Sequence, residues 1–156
     1  MKELLSKLQS RLSDKVAYLP RRDTFMGAIY IVPDENDLPE EAAFPCFGLK
    51  DGSISYDIGG GSRRETLIVT LIGYVSISAP EASMIGSGDD KGVLSLMADG
   101  KAVLDGWVPD GFTTADIVSE TPSQRLVKMD PNIAQEQWPY LQKKTATFKY
   151  WREVIL

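Results

Sequence analysis

The sequence predicts an α+β fold, a mainly antiparallel sheet of about four to six strands with two principal helices packed against it. Three observations carry this. A leading segment has helical apolar spacing, a segment around residue 70 alternates with the period of a strand, and a second helical pattern near residue 95 is followed by two more strand-like runs. Helices and strands are therefore segregated rather than alternating, which argues against a parallel βαβ sheet. With 156 residues and 43% hydrophobic content, the chain suits one domain, residues 1–156, with a core that needs no disulfide.

The elements follow in order. Leu5, Leu8, Leu12 and Val16 recur at spacings of three and four beside Leu4, with Lys2, Glu3, Lys7 and Arg11 on the other face, so the chain opens on an amphipathic helix. Pro20 ends that pattern. Thr24 to Val32 contains the run Ala28-Ile29-Tyr30-Ile31-Val32, read as a central strand, and Pro33 to Ala43, rich in acids and proline, reads as a solvated loop. Phe44–Lys50 and Ser53–Ile58 flank Asp51-Gly52, which predicts a hairpin turning there, leaving Gly59-Gly60-Gly61-Ser62-Arg63-Arg64 as a mobile exit loop.

Glu65 to Ser78 is the clearest strand. Leu67, Val69, Leu71, Gly73, Val75 and Ile77 point one way, and Ile68, Thr70, Ile72, Tyr74 and Ser76 the other. Apolar residues on both faces fit a strand covered twice within the domain, or covered on one side by a neighbouring subunit. Asp89 or Asp90 then caps a second helix with core positions Val93, Leu96, Met97, Val103, Leu104 and Trp107. Gly100 weakens that helix but permits close packing on a strand. Phe112 to Val127 reads as a strand bent near Thr121-Pro122, Asp130 to Gln142 as a loop with one helical turn, and Thr145 to Ile155 as a last aromatic-rich strand.

Composition narrows function. The formal charge of −5 opposes non-specific binding to a phosphate backbone, so no specific nucleic-acid partner is expected. No apolar stretch approaches the roughly 20 residues of a membrane-spanning helix, and Met1 to Ser10 mixes Lys and Glu with Leu rather than forming a signal-peptide block. The chain has no histidine, which removes the commonest general base and the commonest zinc ligand. Cys46, the only cysteine, sits among apolar neighbours and reads as a small hydrophobe rather than a nucleophile.

The remaining constellations favour binding over chemistry. Gly59-Gly60-Gly61-Ser62 lacks the following helix and the lysine of a phosphate-binding loop. The acids from Asp34 onward lack the spacing of a calcium loop. A pair of carboxylates under the acidic loop, serving a small-ligand or hydrolytic site, has no sequence signature and stands as an alternative. No catalytic residue, cofactor or metal site is assigned, and the expectation is a protein that is not an enzyme. The charges are asymmetric, with an acidic block at Asp34 to Glu41 and basic pairs at Arg21-Arg22, Arg63-Arg64 and Lys143-Lys144. These are either solvated loops or patches that meet across a repeated interface. On the second reading the interface candidates are Asp34, Glu35, Asp37, Arg63 and Arg64, with Ile68, Ile72 and Tyr74 from the second face of the long strand.

The order of segments resembles the tail-terminator and tail-completion (minor tail) proteins of tailed bacteriophages. The resemblance spans most of the chain. It rests on the leading amphipathic helix, on Phe44-Pro45-Cys46-Phe47-Gly48-Leu49-Lys50-Asp51-Gly52, on the strand Thr66 to Ile77, and on Ile85-Gly86-Ser87-Gly88-Asp89-Asp90-Lys91-Gly92-Val93-Leu94 opening a helix. It implies a subunit that closes with its copies into a ring, generally hexameric, on the head-proximal end of the tail tube. Such a ring ends tube polymerisation, so the implied partners are further copies, the tail tube protein and the head-tail connector protein. The implied location is the virion tail, after assembly in the bacterial host cytoplasm, and the resemblance brings no catalytic residue with it.

Overall fold

The computed structural model describes residues 1–156. The elements in chain order are α1 (Lys2–Lys15), β1 (Ile29–Ile31), β2 (Cys46–Gly59), β3 (Ser62–Val75), α2 (Pro80–Ile85), α3 (Val93–Leu104), β4 (Thr114–Glu120), β5 (Gln124–Val127) and β6 (Tyr140–Ile155), with one 3₁₀ turn at Gln135–Gln137. The six strands form one sheet ordered β1-β2-β3-β6-β4, with β5 also pairing to β6. All pairings are antiparallel except β1 with β2. The fold is α+β, and the short α2 joins the two helices that the sequence pattern predicts. Pro80 at its N-terminus costs it nothing, because the first helical N–H has no intrahelical partner to lose.

Directly paired residues share a face of the sheet, so the registers sort the core. On one face Leu49, Leu71 and Ala146 stand in line, as do Val69 with Phe148 and Leu67 with Tyr150. The apolar stripe of α1 (Leu4, Leu5, Leu8, Leu12) and that of α3 (Val93, Leu96, Met97, Leu104) cover them, making a cluster of 21 buried residues. The helix α3 lies close on the sheet because two glycines let it. A Cβ on Gly100 would stand 2.7 Å from Phe47 Cε1, and one on Gly73 would stand 2.7 Å from Met97 Sδ. On the opposite face Ala28, Tyr30, Val32, Cys46, Ile72 and Tyr74 form a second cluster of 6, roofed by Leu38, Ala42 and Phe44.

Four expectations are corrected. The run Ala28 to Val32 is not central: only Ile29–Ile31 is strand, it lies at the sheet edge, and it runs parallel to β2. Its burial comes from α1 on one side and the acidic loop on the other, not from two flanking strands. Asp51-Gly52 is not a turn, because β2 runs through it with a one-residue bulge between Asp51 and Ile54. The reversal comes instead at Gly60-Gly61, whose φ angles of 60° and 78° suit a tight two-residue turn closed by Gly59 and Ser62. Residues 59–64 are therefore a hairpin tip rather than an exit loop. Asp89 and Asp90 do not cap α3; Ser87 and Asp90 close a turn on each other, and Gly92 precedes the helix without a side-chain cap. The bend near Thr121-Pro122 is present, separating β4 from β5 along one edge of β6.

Candidate assembly surfaces

Beyond the last turn of helix cover, the β2–β3 hairpin and the end of β6 continue as a flange. From Ser53 to Gly59 every residue of β2 is exposed, on both faces. Ile54, Tyr56 and Ile58 pair with Leu67, Glu65 and Arg63, so they share the helix-side face, and Ile58 is 70% exposed. Ile155 and Leu156 add apolar surface at the same end, and the Leu156 N–H donates to the Gly61 carbonyl at 3.0 Å.

Charge organises this end. The Glu65 carboxylate accepts from Arg63 at 2.8 Å and from Arg152 at 3.1 Å. Burial alone would push the Glu65 carboxyl up, but those two hydrogen bonds and charges outweigh it and hold it below the usual carboxylate range. The Arg63 guanidinium also lies 5.1 Å from the Tyr56 ring, and Arg64 lies 4.1 Å from the Trp151 ring and 3.7 Å from Glu153. Arg63 and Arg64 thus cap the flange on opposite faces.

The acidic loop sits at the other end of β3, ten residues or about 33 Å from Arg64 along the strand. It is docked rather than free. The Tyr74 hydroxyl donates to the Glu35 carbonyl at 2.5 Å, Lys143 reaches Asn36 at 3.0 Å and Glu35 at 3.6 Å, and Lys128 donates to the Glu40 carbonyl at 2.9 Å. Burial pushes the Tyr74 phenol up, and nearby Cys46, Glu35 and Asp34 add to the shift. Asp34 accepts from the Asn36 N–H at 2.9 Å, and Asp34 and Asp37 face solvent.

Two interface candidates are corrected here. Ile72 and Tyr74 are fully buried beneath the chain's own loop, so they offer nothing to a second molecule. Part of the expected charge pairing is also internal, since Lys143 of the Lys143-Lys144 pair meets Glu35 within the chain. Ile68 differs, being half-buried on an open stretch of that face with Thr66 and Thr70 on β3, and Thr147, Lys149 and Trp151 on β6.

Under the acidic loop lies a cavity of about 460 Å³. Leu38, Leu126, Met129 and Leu141 give it apolar walls, while Glu35, Asp37 and Glu40 bring carboxylates to it. No group of three or more His, Cys, Asp or Glu side chains is placed to hold a metal ion. Cys46 is buried, and that burial pushes its thiol well up, Lys128 offsetting only part. No helix is long and apolar enough to cross a membrane. Tyr56 and Ile58, which the sequence reading did not single out, show one readable signal, the alternation Ile54-Ser55-Tyr56-Asp57-Ile58. Leu126, Met129 and Leu141 show none, because non-local pairing brings them together.

No protein-family model and no curated protein matches this chain.

Proposed function

We propose that the protein is a structural subunit of a bacteriophage tail, a terminator whose copies close a ring at the head-proximal end of the tail tube. In this reading it ends tube polymerisation, presents a surface to the head-tail connector protein, and acts without catalysis or cofactor. The observation that carries the reading is the flange: residues 53–59 of β2 project beyond the helices, exposed on both faces and apolar at Ile54, Tyr56 and Ile58. A lone domain gains little by extending bare strand into water, whereas a neighbour that covers it gains apolar burial. Arg63 and Arg64 bring charge to the flange that helps fix the register of such a contact, and a heterologous contact closes into a ring when the rotation allows. Light scattering at micromolar concentration, with tube-length measurement in the presence of tail tube protein, tests it. Closed rings or capped tubes are expected; a strict monomer that leaves tube length unregulated overturns the reading.

A second reading, a small-ligand or carboxylate-based hydrolytic site, is favoured by the cavity under the acidic loop. Its check is a thermal-shift screen with small sugars and carboxylic acids. A shift that Asp37→Asn and Glu40→Gln abolish would support it, and a flat screen would retire it.

A further inference from the structure

We propose that the sheet is continued from copy to copy, with β4 of one copy pairing along the free edge of β2 in the next. The inference rests on the ring reading above and specifies its contact. β1 pairs only with Phe47, Gly48 and Leu49, so β2 has no strand partner on its outer side from Lys50 to Gly59. β4 is likewise bare on the side away from β6. One chain therefore carries two open edges, each a row of backbone donors and acceptors ready for another strand.

Polarity and level fit these two edges to each other. β2 to β3, β3 to β6 and β6 to β4 are all antiparallel, so β2 and β4 run in opposite directions. Thr114 pairs with Trp151, Trp151 with Thr66, and Thr66 with Ser55, which puts Thr114 and Ser55 at the same height on opposite edges. A copy set beside the first by rotation about an axis along the strands thus meets β2 with an antiparallel β4 at the matching height. Lys50 and a bulge guard the start of the free β2 edge, but from Ile54 to Gly59, as from Thr114 to Ile117, no lysine, proline or bulge stands against such addition. Because Gly59 and Ser62 close a two-residue turn, the alternation of the ladder directs the amides of Ile54, Tyr56 and Ile58 away from β3. The helix-side neighbours also match, with exposed Ile54 brought opposite Ala115 and diagonal to half-buried Ile117.

Disulfide trapping tests this on the full chain. Ser55 and Thr114 of one copy are separated by three strand spacings, about 14 Å, beyond the roughly 7 Å that a disulfide tolerates. Any bridge in the Ser55→Cys/Thr114→Cys variant, or in Ser55→Cys/Asp116→Cys for strands staggered by one pleat, must join two copies. Loss of the monomer band into a ladder that stops at the copy number of one closed ring is expected on non-reducing gels, with each single variant and the natural chain, whose Cys46 is buried, staying monomeric on the gel. Dimers from Ser55→Cys alone would overturn the proposal in favour of a two-fold β2 contact. Rings or capped tubes without cross-links in either double variant would sink the edge pairing and leave the ring. A monomer with neither rings, caps nor cross-links would remove both. Circular dichroism of each variant separates these outcomes from misfolding.

Discussion

The two halves of β3 are one continuous strand in opposite circumstances. From Val69 to Val75 it is packed by helices on one face and, at Ile72 and Tyr74, by the acidic loop on the other. From Ser62 to Thr66 it shares the flange with exposed β2 and is steadied mainly by Glu65 between two arginines. The hydrogen-bonded ladder is the same in both, so backbone pairing does not distinguish them. What differs is how much apolar surface leaves water, and that divides a half that holds the fold from a half left available for contact.

The comparison breaks most directly by truncation on each side of it. Leu71→Ala should cost about 2–5 kcal/mol in urea denaturation, whereas Ile58→Ala should stay within about 0.5 kcal/mol. Equal losses would mean that the flange is part of the core. Gly100→Ala tests the tight side next. The added Cβ meets the Phe47 ring, so overpacking of about 1–3 kcal/mol should outweigh the roughly 1 kcal/mol that alanine gains in a helix. Pairing it with Phe47→Leu in a double-mutant cycle should recover part of the loss.

Tyr74→Phe should cost about 1 kcal/mol and speed amide exchange in residues 35–38 while leaving residues 53–64 unchanged. On the flange, Glu65 has a folded-state pKa below its unfolded value. Its stabilisation is therefore complete above the ordinary carboxylate range and is lost as pH falls through the folded value. Glu65→Gln should lower stability by about 1 kcal/mol at neutral pH, and the gap from the natural chain should close in acid. An effect of opposite sign belongs to Tyr150, where the two halves meet opposite Leu67. Its buried hydroxyl has no hydrogen-bond partner, so Tyr150→Phe should be neutral or stabilising by up to about 1 kcal/mol in thermal melts.

Much of the fold was legible where the deciding contacts are periodic within one segment. The spacing of Leu5, Leu8, Leu12 and Val16 predicted α1, alternation from Leu67 to Val75 predicted β3, Pro122 marked the gap between β4 and β5, and Gly100 marked the close approach of α3. The failures arose where a remote partner decides. Asp51-Gly52 has good turn chemistry, but turning at Gly60-Gly61 sets Leu49 against Leu71 and Ile54 against Leu67. Gly52 survives in the strand because the Ile68 carbonyl comes so close that a Cβ would stand 2.8 Å from it. The two-sided pattern of β3 left open whether the domain itself or a neighbouring subunit covers the second face. Leu38, Ala42 and Phe44, spread through an acidic stretch, do so at Ile72 and Tyr74. The flange was half visible: Arg63 and Arg64 were named, while Tyr56 and Ile58 were hidden by the misplaced turn.

The position of β6 bears on how the protein is made. It comes last of the elements in chain order, yet it stands between β3 and both β4 and β5. During synthesis β4 and β5 have no strand to join, and β3 keeps one edge bare, until Tyr140–Ile155 emerges. Contacts so distant along the chain slow folding, and until that strand arrives apolar β3 stays half-assembled, with an unpaired edge of the kind that aggregates.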